Sequence, residues 1–303
     1  MSPCENILKM FLTVCLNPTL QKTLRFSSIT PDAVNRTSIH RLDASGKGIN
    51  VTRVLNQLGQ KAVHLTQLGG SMRPLFLSLC EQDGLSVEWV ESNSQIRFCY
   101  TLLNERDNSV TELVEESEPV AAGTEERLME KYDELIKGAK HLIISGKNAA
   151  GFSDNVIPNM VQKAKEKGLR IILDIRGNDL INCLKYEPDV IKPNMEEFIA
   201  TFKTEPARDF LIELTQKHRC AVILTNGSKN ILAAEKDNFY EIEVPKIKAV
   251  NTIGCGDAFT AGLATALFSC GNGEISANFK TVINEGIRCG ALNASFERPG
   301  VIY

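Results

Sequence analysis

The chain holds 303 residues with 43% hydrophobic content, enough to bury a large core in one α/β domain. A formal net charge of −3 argues against the clustered basic surface that nucleic-acid binding needs, so no nucleic-acid partner is expected, although a local basic pocket for a small anion stays open. No apolar run reaches the roughly 18 residues of a membrane span, so the chain reads as cytoplasmic with no membrane partner.

Residues 1–9 are polar and read as a disordered extension, leaving 10–303 as a single domain. A strand is expected at 11–16, a helix at 49–58, a strand at 62–65 and a helix at 73–82. Helices at 125–137 and 154–167 then flank a strand at 141–145. Strands at 170–175, 189–191 and 221–224 follow, with helices at 195–202 and 208–217 before the last of them. The apolar runs are unbroken rather than alternating, which suits strands buried on both faces of a parallel sheet. Strand and helix alternating in this way predict right-handed crossovers and a doubly wound fold. Residues 20–42 and 95–117 break the rhythm with strand-like pieces, at 95–103 and 109–114 in the second, and are expected to pair as a small lid sheet.

Nine cysteines, an odd count with no CxxC pair, fit reduced thiols used as small buried hydrophobes. His40, His64, His141 and His218 show no metal-ligand spacing.

The strongest chemical signal is Val-Asn-Thr-Ile-Gly-Cys-Gly-Asp-Ala-Phe-Thr-Ala-Gly at 250–262. Gly254 and Gly256 can turn successive N–H groups toward one point, and the helix expected to follow adds its positive end, making an anion cradle. Asp257 at that mouth is a candidate base for phosphoryl transfer, where a protein mainly positions reactants and accepts the nucleophile's proton; the competing reading is a helix cap. The segment is no dinucleotide fingerprint, because Phe259 takes the third glycine position. Gly46-Lys47-Gly48 is no P-loop, lacking the earlier glycine and the following Ser or Thr.

The run Asn251 to Asp257 resembles the second signature of the ribokinase-like carbohydrate kinases, and Ala44 to Val51 resembles the first. With Leu16-Asn17-Pro18 and Lys192-Pro193-Asn194, the pattern is similar to the phosphofructokinase B branch, which includes 1-phosphofructokinase and tagatose-6-phosphate kinase. The resemblance implies a three-layer α/β/α fold with a mostly parallel doubly wound sheet and a β-sheet lid, paired between subunits in a homodimer. It implies Asp257 as base, with Gly254, Cys255 and Gly256 giving anion-hole N–H groups, Cys255 standing at the family's usual alanine. Asn194 and Glu197 would hold Mg²⁺ through water at the phosphates of ATP, an oxygen-rich shell of the kind Mg²⁺ prefers. Lys192, Thr225, Gly227 and Thr252 would meet the nucleotide. Gln21, Gly46, Lys47 and Asn50 would meet the acceptor, with Arg97, and less strongly Arg36, aimed at its phosphate.

Three departures bear on the substrate. Gln21 replaces the branch's aspartate, Ser145-Gly-Lys-Asn-Ala149 replaces Ser-Gly-Ser-Leu-Pro, and Asp174-Ile-Arg-Gly177 replaces Asp-Thr-Ser-Gly. Lys147 and Arg176 thereby add cations where substrate phosphates are expected. The chain is therefore expected to phosphorylate a ketohexose monophosphate such as fructose 1-phosphate, fructose 6-phosphate or tagatose 6-phosphate. The alternatives are a sugar-phosphate sensor without turnover, and a kinase for an unphosphorylated sugar or nucleoside.

Overall fold

A computed structural model of the chain describes residues 10–269 and 279–303, so the extension expected at 1–9 lies outside the described residues. The order is β1 (Met10–Val14), β2 (Thr19–Phe26), β3 (Ile39–Ser45), α1 (Lys47–Gln57), β4 (Lys61–Leu68), α2 (Arg73–Gln82), β5 (Ser86–Glu91), β6 (Arg97–Asn104) and β7 (Ser109–Val114). Next come α3 (Thr124–Leu135), β8 (Ala139–Ser145), α4 (Val156–Glu166), β9 (Arg170–Asp174), α5 (Gly177–Cys183), β10 (Val190–Ile191), α6 (Met195–Phe202), α7 (Arg208–His218) and β11 (Ala221–Leu224). β12 (Ile231–Glu235), β13 (Asn238–Ile242), α8 (Cys255–Ser269) and α9 (Phe279–Ala294) follow.

The main sheet runs β13-β12-β11-β10-β9-β8-β1-β4-β5, parallel from β11 to β5, with β12 and β13 antiparallel at one end. Both faces are buried, which explains the unbroken apolar runs. In β8, Leu142 and Ile144 enter a core made with α3, α4 and α6, while Ile143 between them enters the opposite core made with α1, α8 and α9. β9 splits in the same way, Ile171 and Leu173 against Ile172. Each fully buried Leu or Ile contributes about 1.5–3 kcal/mol of transfer free energy. The expected three layers are present.

The two excursions form a separate sheet, β3-β2-β6-β7, joined through the parallel pair β2 and β6 with antiparallel strands at each edge. It begins at Thr19, and β3 continues to Ser45, past the expected boundary at 42, because β3 delivers the chain directly to Gly46, the N-cap of α1. That helix lies hard against the main sheet. A Cβ on Gly48 would stand 2.5 Å from His64 Cε1 and 2.7 Å from Cys15 Cβ. Beneath it the hydroxyls of Thr13 and Thr52 meet at 2.6 Å and Thr13 bonds His64 Nδ1 at 2.9 Å; burial pushes the His64 pKa down to about 3, so the ring is neutral.

Strands β5, β12 and β13 and helices α5 and α9 were not anticipated from sequence. Among the described residues seven cysteines are free thiols, and no helix is long and apolar enough to cross a membrane.

Candidate active site

A cleft of about 410 Å³ opens beyond the carboxyl ends of the parallel strands, under the small sheet, where open α/β sheets place ligands. Residues from the N-terminal ends of α1, α6 and α8 line it together: Gly46 and Lys47, Asn194 and Glu197, and Gly254, Gly256 and Asp257. Three positive helix ends converge on one space.

Gly254 is the turn that starts α8. Its φ of +81° suits glycine, and an added Cβ would meet Pro299 Cβ at 2.9 Å and Pro299 Cα at 3.0 Å. Gly256 differs, for a Cβ there would come no nearer than 3.9 Å to Lys192 Nζ. Asn251 Oδ1 accepts from the Ile253 N–H at 3.0 Å, Asn251 Nδ2 donates to the Glu297 carbonyl at 2.7 Å, and Asn293 Nδ2 donates to the Ile253 carbonyl at 3.0 Å. These amides hold the loop in shape. Cys255 does not line the cleft; its sulfur lies 3.6 Å from Asn293 Nδ2, burial pushes the thiol up to about 11, and its N–H donates to the Thr252 carbonyl at 3.4 Å.

Asp257 is 6% exposed. Burial pushes its pKa up to about 6, Lys47 opposes, Asp174 adds to the rise, and the Asn50 hydrogen bond and Lys192 oppose in turn. Asn50 Nδ2 donates to Oδ2 of Asp257 at 2.8 Å, while Oδ1 of Asn50 accepts from Arg53 at 3.0 Å and Ser45 at 3.3 Å.

Asp174, at the end of β9, is the cleft residue whose importance the sequence reading passed over. Only 1% exposed, it faces Lys192 at 3.3 Å and Lys47 at 3.4 Å, and it accepts from Thr260 at 3.0 Å and Ser145 at 3.3 Å. Burial would raise its pKa, but Lys192 and Lys47 hold it below the ordinary carboxylate value. The rule that chemistry sits just after apolar runs points at it, since it follows Ile171 to Leu173.

Two of the expected site groups also bind within the protein. Lys47, expected at the acceptor, lines the cleft and reaches between Asp174 and Glu197, the latter at 3.1 Å. Burial alone would lower its pKa, and the carboxylates of Asp174, Glu197 and Asp257 raise it instead. Asn194 and Glu197 form a capping box on α6: Asn194 Oδ1 accepts the Glu197 N–H at 2.8 Å and Glu197 Oε2 accepts the Asn194 N–H at 3.0 Å. Both Glu197 oxygens are thus engaged, and among the described residues no group of three or more His, Cys, Asp or Glu could hold a metal ion. A directly bound cation does not fit this donor set; a hydrated one carried by nucleotide phosphates does.

On the side of the small sheet, Gln21, Arg97, Cys99, Glu112 and Val114 line the cleft. Gln21 Nε2 donates to Thr101 Oγ1 at 2.6 Å, and Arg97 donates to Thr19 Oγ1 and the Glu115 carbonyl, each at 3.1 Å. Glu112 was not foreseen; its register opposite Thr101 puts it on the same face as Gln21 and Cys99. Thr225 and Thr252 line the cleft, whereas Gly227 is exposed in the loop after β11 and outside it. Lys147 and Arg176 also lie outside: the Lys147 side chain is 63% exposed beside Glu116, at 3.9 Å, and Arg176 is exposed. Their backbone follows the strand ends, but their side chains turn to solvent, where a long cation is best hydrated. Arg36 is exposed in the loop between β2 and β3.

Over 301 residues the chain is 28% identical to a tagatose-6-phosphate kinase from Staphylococcus epidermidis, covering 97% of this chain and 94% of the relative. The tetrameric inhibited form of phosphofructokinase-2 from Escherichia coli superposes with a TM-score of 0.83 at 22% identity, covering 95% of this chain and 94% of that one. A structure of the same enzyme with substrates and products gives 0.84 at 22% identity, covering 94% and 93%. The family model for pfkB family carbohydrate kinases matches residues 15–297, which include the lid, the Gly254–Asp257 turn and the Asn194–Glu197 cap, and the chain therefore belongs to the pfkB family of carbohydrate kinases.

Proposed function

We propose that the chain transfers the γ-phosphoryl group of ATP to a hydroxyl of a ketohexose monophosphate, fructose 1-phosphate, fructose 6-phosphate or tagatose 6-phosphate. The observation that carries this reading is Asp257: a buried carboxylate with its pKa pushed up to about 6, beside the glycine turn of α8 and between two lysines. That value is close to what a general base at neutral pH needs.

The N–H groups at Gly254, Cys255 and Gly256, with the positive end of α8, would neutralise the transferring group, and Lys192 and Lys47 would add charge from the floor. Thr225 and Thr252 would meet the nucleotide. Mg²⁺ would arrive with ATP, its water shell meeting Asn194 and Glu197. The acceptor hydroxyl would bond the phosphorus as the bridging P–O bond breaks, ADP leaving with the electron pair. Its proton would pass to Asp257 Oδ1, because Oδ2 already accepts from Asn50. With Lys147 and Arg176 outside the cleft, the case for a phosphorylated acceptor rests on Arg97, a planar cation suited to a phosphate, and on the name of the staphylococcal relative.

The small sheet would act as a lid and as a homodimer contact. Its strands and connecting loop expose Val34, Ile39, Leu113 and Val114.

The test is turnover with Mg-ATP across a panel of hexose phosphates and free sugars, run beside Asp257→Asn. Turnover fastest on a hexose phosphate, with the variant slower by roughly 10² to 10⁴, supports the reading. A free sugar outrunning every phosphate would overturn the acceptor, and saturable binding without turnover would make the chain a sensor.

A further inference from the structure

Asp257 meets α1 through a single amide, and that amide has two possible orientations. With Nδ2 outward, Asn50 donates to the carboxylate; with Oδ1 outward, two acceptors would face each other. In the structure the choice is fixed from behind. Arg53, one turn along the helix and 4% exposed, donates from Nη1 to Asn50 Oδ1 at 3.0 Å and to the Pro299 carbonyl at 3.1 Å. Its Nη2 donates to the Ala44 carbonyl at 2.7 Å. Its Nε and Nη2 grip Asp83 Oδ2, the C-cap of α2, at 3.1 and 2.9 Å.

Asp83 also accepts from Arg298 Nη2, Oδ1 at 2.5 Å, and the Arg298 guanidinium faces Asp43 of lid strand β3 at 2.8 Å. Asp43 is in turn held by Arg41 in a two-point pair at 2.6 and 2.8 Å. Burial would raise Asp83, but Arg298 and Arg53 hold it below its ordinary value, so it stays an anion between two cations. One row of charge joins the lid strand to the amide that faces Asp257.

We propose that Arg53 is a positioning residue: it locks the Asn50 amide with its NH₂ toward Asp257, and through Asp83 and Arg298 ties that lock to the seating of the lid. This rests on the reading of Asp257 as base. Arg53 does not line the cleft itself and reaches it only through Asn50. The charged or titratable groups facing Asp257 are Lys47 on α1, Asp174 at the end of β9, Lys192 after β10 and the Cys15 and Cys255 thiols, and burial raises both thiol pKa values, keeping them neutral. None of these changes when Arg53 is replaced by Lys. That substitution keeps the positive charge and removes the fork, since the three donors of one ammonium at a single point cannot replace the five bonds that Arg53 spreads over Asp83, Asn50, Pro299 and Ala44.

The experiment is the pH profile of kcat/KM for wild type, Arg53→Lys and Asp257→Asn, with melting temperatures beside it. A wild-type acid limb that vanishes in Asp257→Asn, and that moves upward by about one pH unit in Arg53→Lys, is the expected result. If the limb is present and Asp257-dependent but stays in place in a folded Arg53→Lys, whatever its melting temperature, the positioning role is overturned while the base survives. If wild type has no limb and Asp257→Asn keeps full turnover, the base itself fails. Should Arg53→Lys not fold, Asp83→Asn loosens the same grip from its far side and is expected to move the limb upward by a smaller step; an unmoved limb overturns the proposal. Arg298→Gln tests the lid tie, raising acceptor KM several-fold with ATP KM unchanged; no change in acceptor KM removes that part.

Discussion

At the scale of single residues the cleft depends on where charge is permitted. With its pKa pushed up by burial to about 6, Asp257 is a carboxylate above that pH and a neutral acid below it. In its proposed role as base it must be unprotonated, so kcat/KM is expected to fall tenfold per unit as pH drops below about 6, with no matching loss between 7 and 8 from this group. Initial rates at subsaturating acceptor check it. The two glycines separate conformational need from space. Gly254→Ala must place a Cβ 3.0 Å from the Pro299 backbone at positive φ, and is expected to lower the melting temperature by several degrees along with activity, on a conformational cost of roughly 1–2 kcal/mol before the clash is counted. Gly256→Ala sits in helical backbone with 3.9 Å of room, so its melting temperature should hold while a methyl beside Lys192 reduces turnover. Scanning calorimetry and steady-state rates distinguish the two.

Among the elements, one side chain of α6, Glu197, both closes the capping box and faces Lys47. Glu197→Gln keeps an oxygen for the Asn194 N–H but loses the charge facing Lys47, so it is expected to change the Mg²⁺ requirement and turnover more than stability. Glu197→Ala loses the reciprocal capping contact to the Asn194 N–H too and should lower stability further in denaturant unfolding. Sequence showed the parallel strands because both their faces are buried, and a run such as His141-Leu-Ile-Ile has no alternation to confuse. It hid β5, where Ser-Val-Glu-Trp-Val-Glu alternates as an edge strand with one wet face does, and the β12–β13 hairpin, whose Ile-Leu-Ala-Ala-Glu suits helix as well as strand. In the site, the motif residues Gly254, Asp257, Asn50 and Lys192 were legible because each answers to a local pattern. What pattern could not give was direction. Lys47 leaves a predicted helix start but crosses to Asp174 and Glu197, and Lys147 and Arg176 leave predicted strand ends but point away from the cleft. Arg53 escaped notice because its partners come from α2, β3 and the C-terminal segment, brought together only by the fold.

For the molecule as a whole, the proposed function gives the small sheet two tasks, acceptor recognition and assembly. Arg97→Ala is expected to raise the KM for a hexose phosphate at least tenfold with ATP KM little changed, because Arg97 lies on the lid strand β6 across from the α8 turn. Light scattering over a concentration series checks the homodimer, and a monomer throughout would remove it. The meeting of three helix starts with Lys47 and Lys192 in one cleft has a practical consequence. The carboxylates of Asp174, Glu197, Asp257 and Glu112 offset Lys47, Lys192 and Arg97 there, so the helix starts are what is left to attract an anion; sulfate or inorganic phosphate in a buffer should settle on them, raise the melting temperature in proportion to ln(1 + [anion]/Kd) and slow catalysis competitively. An anion held there competes with a phosphorylated substrate, so the choice of chloride or phosphate as background salt decides the apparent affinity that any assay of this enzyme returns.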